Sequence, residues 1–476
     1  MIRGSTVFTP ADLFATYRDR LGEPVTRESV RDIAQRVAAL YRDAGYVEPQ
    51  IRVDDALLAV GVLRIDIEEA RISGVSIRGD AGPHRARLER LGAELAQDPV
   101  LRRSDLQATL RHMRELPGLS VAATTVRDED EPRAYRLELD ADFEAVGGAV
   151  RFSNRGTEEI GPNFVLGQVV ANGLLGGRTS AGFLFGAATD YDEYHGLGLL
   201  GSWSIDSRTT LSASGMRSRS DPRETGVDRD IHYLRDRLSV RFQRQLHAED
   251  GRTFALAAAL EWDDLGIALS GQTVRDEHLR LLSSGGRWDG RGRFFGRYHI
   301  AVDAVKGLDG LGSALDARDL ASDPRREDFV LFRLTFAGTR PLGDRVTARL
   351  DAFAQQTAYV LPYTQRFKIG GDRLGRGFEI PEIAGDQGIG AKLEVRRRLS
   401  RGAAWLGQPS FYGFYDIAAA WKQDVPGRES AATAGVGFAV QRPRMSAAIE
   451  VAQPLTRVDI EGRDGPSVFF ELTQRL

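Results

Sequence analysis

From Gly147 to the C-terminus the sequence alternates with a period of two, and no uninterrupted apolar run reaches the roughly 18 residues of a membrane helix. Phe254, Leu256, Ala258, Leu260 and Trp262 alternate with Ala255, Ala257, Ala259, Glu261 and Asp263. Val346, Ala348, Leu350, Ala352 and Ala354 alternate with Thr347, Arg349, Asp351, Phe353 and Gln355. Ile389, Ala391, Leu393 and Val395 do the same against Gly390, Lys392, Glu394 and Arg396. Each segment has an oily face and a charged one, as a strand between two different solvents must. A soluble sandwich would turn the oily face into a core and fill it with large residues. Here many of those positions are Ala, Gly or Leu, with Trp, Tyr and Phe tending toward strand ends, as on the lipid-facing wall of a barrel. About 330 residues at roughly twenty per strand and connection predict a transmembrane antiparallel β-barrel of about sixteen strands, with a wide, wet bore.

The rest of the composition narrows function by exclusion. A net charge of -3 with no clustered basic footprint argues against a nucleic-acid partner. The chain has no cysteine, so neither a disulfide framework nor a thiolate metal site is possible. His195, His232, His247 and His299 are scattered without ligand spacing, and no metal or cofactor is expected. "GLGLLG", Gly196 to Gly201, formally matches a dinucleotide fingerprint. No helix pattern follows it, however, and Leu197, Leu199, Trp203 and Ile205 share one strand face. There is no Gly-x-Ser-x-Gly elbow or Walker loop, and the Asp128 to Glu131 run reads as solvated charge, so no catalysis is expected. Met1 leads straight into "IRGSTVFTPADLF" without a basic start and apolar stretch, so a barrel destined for an outer membrane is expected to have lost its leader.

Near residue 145 the organisation changes, and before it a unit of about seventy residues is repeated. In the first copy Thr9, Pro10 and Asp12 open a helix, and a second starts at Thr26. Val30, Ile33, Val37 and Leu40 recur there at helical spacing, and Gly45 is placed for a left-handed stop. Two strands follow, with Leu63, Ile65 and Ile67 alternating in the second. The second copy has a strand at Ile72 to Ile77, helices near Pro83 to Leu95 and Ser104 to Leu116, and strands near Ser120 to Arg127 and Ala134 to Ala141. The unit is β-α-α-β-β.

One Gly-rich segment stands apart within the barrel. "KIGGDRLGRGFEIPEIAGDQGIG", Lys368 to Gly390, carries Arg376, and "FYGFYDIAAAW", Phe411 to Trp421, carries Asp416. Phe414 and Asp416 share parity, while Ile417, Ala419 and Trp421 occupy the other face. A solvated loop arginine and an ordinary lumen carboxylate are the bland alternatives. A guanidinium withdrawn into a bore stays charged and needs a fixed carboxylate, which a bidentate pair supplies along with orientation. Gly370, Gly371, Gly375 and Gly377 allow the tight path of an inserted loop.

These features resemble a known family. "VTRESVRDIAQRVAALYRDAGYVEPQIRV" and "LLAVGVLRIDIEEARISGVSIRG" are similar to the POTRA domain of two-partner secretion transporters, whose pattern ends a helix in Tyr-Arg-x-x-Gly-Tyr and continues into a Gly-x-Leu-x-Ile strand. Tyr41, Arg42, Gly45 and Tyr46 fit the helix end, and Gly61, Leu63, Ile65 and Glu69 the strand. Arg376, Gly377 and Phe378 resemble the Val-Arg-Gly-Phe/Tyr motif of the inward-folded sixth extracellular loop in the outer-membrane assembly and secretion superfamily, with Leu374 and Gly375 in place of the residues that usually precede the arginine. Phe414 and Asp416 resemble its Phe-x-Asp barrel-wall motif. The resemblance implies POTRA domains at 1–71 and 72–144 and a barrel at 145–476, with its inserted loop around 368–388. It further implies a monomeric pore in the outer membrane of a Gram-negative bacterium, among outer-membrane lipid, with the POTRA domains in the periplasm. That pore would translocate an unfolded exoprotein of the haemolysin or adhesin type, received through the client's N-terminal secretion domain. Alternatives are a barrel-assembly insertase, which typically carries more than two POTRA units, a passive porin with a periplasmic module, and a soluble adhesin.

Overall fold

The computed structural model describes residues 2–53, 63–131, 134–156, 161–222, 230–249, 251–316, 324–378, 383–400, 407–456 and 465–476. The chain divides into two compact units, Met1–Ala145 with Leu175–Arg178, and Val146–Leu174 with Thr179–Leu476.

The first unit holds two copies of one small α+β domain. The first copy runs β1 (Ile2–Arg3), α1 (Pro10–Phe14), α2 (Arg27–Asp43), β2 (Gln50–Val53) and β3 (Ile65–Glu68), with sheet order β1-β3-β2. Thr9 with Asp12 and Thr26 with Ser29 close capping boxes, and Gly45 ends α2 at φ 83°. Ile33, Val37 and Tyr41 on one face of α2 pack against Ile65 and Ile67. The leading strand is too short to show alternation in the sequence, and Gly61 lies outside the described residues. The second copy runs β4 (Ile72–Gly79), α3 (Arg85–Ala96), α4 (Arg103–Arg114), β5 (Leu119–Arg127) and β6 (Tyr135–Phe143), with the same order β4-β6-β5. Leu88, Leu95, Met113, Leu137 and Leu139 form its core.

A half-buried carboxylate in the first copy, Glu69, and a buried one in the second, Asp128, each tie their own copy together. Glu69 accepts hydrogen bonds from the amides of Thr6 (2.8 Å) and Val7 (3.2 Å) and from the Tyr41 hydroxyl (2.6 Å), fastening the start of the chain over α2. Burial alone would push the Glu69 carboxyl up, but these donors outweigh it and hold it below the usual range. Asp128 accepts from the Ser73 hydroxyl, from the Asp130 amide at 3.0 Å and from Arg136 at 3.0 Å, which lowers it to about 2. A carboxyl with a depressed folded pKa contributes stability that is present above its unfolded value of about 4 and lost as pH falls toward 2. Asp128→Asn is therefore expected to flatten the acid-side fall in the unfolding midpoint of this unit. Identical acid profiles for the variant and the wild type would contradict that expectation.

The second unit is a closed antiparallel barrel of sixteen wall strands. They are β7 (Val146–Ser153), β8 (Phe164–Gly173), β9 (Thr179–Ala188), β10 (Tyr194–Ser204), β11 (Thr209–Ser220), β12 (Ile231–Glu249), β13 (Arg252–Leu269), β14 (Gln272–Gly290) and β15 (Arg297–Gly307), continuing after a short β16 (Ala314–Asp316). β17 (Val330–Pro341) and β18 (Val346–Thr357) come next, then an inserted hairpin of β19 (Phe367–Ile369) and β20 (Ile383–Gly385). The wall resumes with β21 (Gln387–Arg398), β22 (Gln408–Trp421), β23 (Glu429–Gln441), β24 (Met445–Pro454) and β25 (Ser467–Arg475). Each wall strand pairs with its sequence neighbours, and β25 closes on β7 through Glu471–Arg475 against Ala149–Ser153.

The alternation sorts residues as the sequence predicts. Leu256, Ile389, Leu393, Val395, Ile417, Val468 and Phe470 are exposed on the outer face, while Ala255, Ala257, Asp263, Gln355 and Asp416 are buried within. "GLGLLG" lies in β10 with Leu197, Leu199 and Trp203 outward. The strands are not of even length, however. β12 and β14 have 19 residues and β13 has 18, against roughly 9–11 for a minimal crossing. On the outer faces of β13 and β14 in this ribbon, the apolar run ends at Trp262 and Leu282. Beyond them Asp264 faces Arg280 at 2.5 Å and His278 at 3.1 Å, so the ribbon continues past the oily belt.

Candidate functional site

The chain between β18 and β21 does not stay outside the wall but folds into the bore as a strap. Its root is fixed by Asp386, which is fully buried and accepts from the amides of Leu361 and Gln423, each at 2.8 Å. The Gln355 side-chain amide donates to the carbonyls of Gln365 (2.9 Å) and Asp386 (3.0 Å), holding the two arms together. The Tyr363 amide donates to Glu277 at 3.3 Å and the Gln365 side chain to Asp263 at 3.4 Å, mooring the first arm to inward carboxylates of β13 and β14. Leu361 packs with Leu279, Leu281, Val305, Phe329 and Leu331. The strap therefore begins earlier than the 368–388 range read from the sequence, because the residues before Phe367 are anchored as well.

Deeper in, Phe367, Ile369, Leu374, Phe378 and Ile383 form an apolar underside against Ala418, Ala420 and Ala431 of the wall. Two wall glycines make the seat possible. A Cβ at Gly390 would lie 2.4 Å from Leu374, and one at Gly388 only 2.1 Å from Phe367. Gly375 turns the strap at φ 89°, and Gly377 approaches so closely that a Cβ there would be 3.0 Å from Thr433 and 3.1 Å from Pro454.

Arg376 sits at the centre of this seat and is buried. Its Nη2 donates to Asp416 Oδ1 at 2.8 Å, and its Nε and backbone N–H donate to Asp416 Oδ2 at 3.0 and 3.2 Å. The guanidinium carbon lies 3.5 Å from the centroid of the Phe414 ring, so the two wall residues grip the arginine by charge and by π-face. Arg376 and Asp416 are thus brought together, with Phe414, Gly375, Gly377 and Phe378 around them.

The site is a cluster rather than the single pair read from the sequence. Arg376 Nη1 also reaches Glu450 Oε2 at 3.2 Å and Glu394 Oε2 at 3.5 Å. Tyr412 donates to Glu450 at 3.1 Å, and Arg396 binds Glu394 at 2.9 Å. Three wall strands, β21, β22 and β24, therefore supply groups to one strap arginine, while Thr433 of β23 accepts from the Gly377 amide at 3.4 Å. A carboxylate on an inward face otherwise made of Ser446, Ala448 and Ala452 was the sequence signal for Glu450. Its height relative to Asp416 depends on registers that no single strand reveals. Taken as chemistry, the cluster binds and orients a loop across a wet channel. Among the described residues no group of metal-ligating side chains accompanies it.

The comparisons with known proteins agree with this architecture. The family description "POTRA domain, ShlB-type" matches residues 1–70, and "Haemolysin secretion/activation protein ShlB/FhaC/HecB" matches residues 147–440. The outer membrane transporter CdiB of Dickeya dadantii (strain 3937) is 23% identical over 478 residues, covering 95% of this chain and 81% of that protein. CdiB from Escherichia coli superposes with a TM-score of 0.79 at 18% identity, over 100% of this chain and 89% of that one. For CdiB from Acinetobacter baumannii the values are 0.66 and 14%, with 100% and 89% covered. BamA from Haemophilus ducreyi lacking POTRA domains 1-3 gives 0.56 at 13%, with 100% and 98% covered. At these identities the solved structures speak for the fold alone. A family match across more than half of the chain, over a sixteen-stranded barrel with an N-terminal POTRA domain, settles the membership: the protein belongs to the ShlB/FhaC/HecB family of haemolysin secretion/activation proteins, outer-membrane transporters of two-partner secretion.

Proposed function

We propose that this transporter exports an unfolded exoprotein of the haemolysin or adhesin type, with the strap as its gate and the periplasmic POTRA units as its receptor. The observation that carries the reading is the buried Arg376 cluster, which seats a loop inside a bore lined by charged residues. A gate must be stable when shut and able to leave, and a polar clasp in a wet lumen satisfies both conditions better than a continuous apolar core. Strand addition by the client fits the receptor, because β2 and β5 each have one edge without a strand partner among the described residues. At nine residues β5 offers the longer template. Folding of the client outside would make export directional without nucleotide. In this scheme Arg376 and Asp416 position the strap, and Phe414 supports them.

The test is export of a two-partner-secretion exoprotein produced together with this transporter, measured in the medium. Removing residues 1–145 is expected to leave an inserted barrel and to abolish export. Undiminished export by the barrel alone would reject the receptor role. A large, steady conductance in planar bilayers, indifferent to Arg376, would instead favour a passive pore.

A further inference from the structure

We propose that Arg155, just past the end of β7, is a second clasp that holds the strap from the wall side. This rests on the reading of the strap as the gate, and it assigns a positioning role to a residue outside both sequence motifs. Arg155 Nε lies 2.7 Å from Asp372 Oδ1 on the strap, and Arg155 Nη2 lies 2.6 Å from Glu450 Oε1 on β24. Its guanidinium carbon is 4.2 Å from the centroid of the Phe469 ring, and the side chain is only 14% exposed. The neighbouring Asn154 fixes its origin, donating to the Val468 carbonyl at 3.0 Å and accepting from the Phe470 amide at 2.5 Å. Lys392 meanwhile binds the Asp372 carbonyl at 2.5 Å, which steadies the strap end of the clasp.

The two clasps are reciprocal. Arg376 carries a positive charge from the strap to the wall carboxylate Asp416, while Arg155 carries one from the wall to the strap carboxylate Asp372. Glu450 joins them, giving one oxygen to Arg155 and the other to Arg376 and Tyr412. The strap thus leaves its seat only when both arginines lose a partner. Arg155 also stands where the last strand closes on the first, a seam of five residue pairs, so its position is set by barrel closure itself.

The test is single-channel recording of the full-length protein in planar bilayers, with Arg376→Ala as the reference for a freed strap. Arg155→Gln removes charge-assisted hydrogen bonds and is expected to raise open probability roughly ten- to a hundredfold. Asp372→Asn is expected to do the same, and combining the two should add less than about twofold, because both break the same contact between wall and strap. Arg155→Lys keeps the charge but loses the planar fork that spans two carboxylates, so it should fall between Arg155→Gln and the wild type. Heat-modifiable mobility on gels checks that each barrel has folded, and Asp372→Asn serves if Arg155→Gln does not fold. Wild-type open probability in Asp372→Asn, alongside a raised value in Arg376→Ala, would overturn the clasp. No rise even in Arg376→Ala would overturn the gate reading itself.

Discussion

Asp416→Arg is expected to expel the strap and to cut export of the cognate exoprotein to a small fraction of the wild-type level, while Asp416→Arg with Arg376→Asp recovers part of it. Asp416 is fully buried, and in the single variant two guanidinium groups face each other where one was matched. Breaking a buried ion pair costs about 3–5 kcal/mol, because the remaining charge is stranded. At 1.36 kcal/mol per decade, that shifts the seated-to-free ratio by more than about a hundredfold. A strap without a seat leaves the bore open to ions, so conductance rises, but it can no longer couple opening to the arrival of a client. Reversing the charges restores the pair itself and only the pair. Glu450 and Glu394 reach the same arginine at 3.2 and 3.5 Å, and both would repel a carboxylate placed there. Export at the wild-type level by Asp416→Arg would show that the cluster does not position the strap. Full recovery in the exchange would show that Glu450 and Glu394 contribute nothing.

The second large effect is expected at Gly435, a wall residue that makes no hydrogen bond to the strap through a side chain. It stands opposite Phe414 across the β22–β23 ladder, and a Cβ there would lie 2.2 Å from Phe414 Cζ and 2.2 Å from the Val451 carbonyl oxygen. Neither neighbour yields easily, since one is backbone and the other a ring pressed beneath Arg376. Gly435→Ala should therefore cost about 1–3 kcal/mol in overpacking. It should also remove a desolvated cation–π contact worth about 2 kcal/mol from the seated strap. The measurable results are a lower barrel unfolding temperature and a higher open probability. Adding Phe414→Ala separates the two causes: it relieves the ring clash and recovers part of the unfolding temperature, but the arginine stays unstacked and the channel stays leaky. A double variant that recovers both properties would mean that the stacked ring is irrelevant to gating.

Much of this fold is legible along the chain because a strand between lipid and water repeats every two residues whatever its neighbours do. The helix caps of the first unit are legible for the same reason, since Thr9 and Asp12, or Thr26 and Ser29, interact within a single turn. The leading strand Ile2–Arg3 escapes this reading, being two residues that are strand only because β3 lies beside them. The unequal strand lengths escape it too, because polar residues such as Asp264 and Arg280 on the outer face look like strand ends until the ladder is seen to continue past them.

Within the site, Arg376 and Asp416 stand out in one dimension because each sits in a distinctive local setting, a glycine turn and an aromatic strand. Asp386, Glu450 and Arg155 do not. Asp386 reads as loop charge until its carboxylate is found joining Leu361 to Gln423. Glu450 and Arg155 are ordinary residues almost 300 positions apart, and they meet at 2.6 Å because the last strand closes on the first. The sequence by itself determined which face of the long alternating strands is oily and which arginine would need a carboxylate, because those depend on side-chain chemistry and local spacing. Which carboxylates stand at the height of that arginine, and which wall residue reaches back to hold the strap, was decided by barrel closure and register, since charge interactions fall within a few ångströms of contact and only the tertiary structure sets those distances.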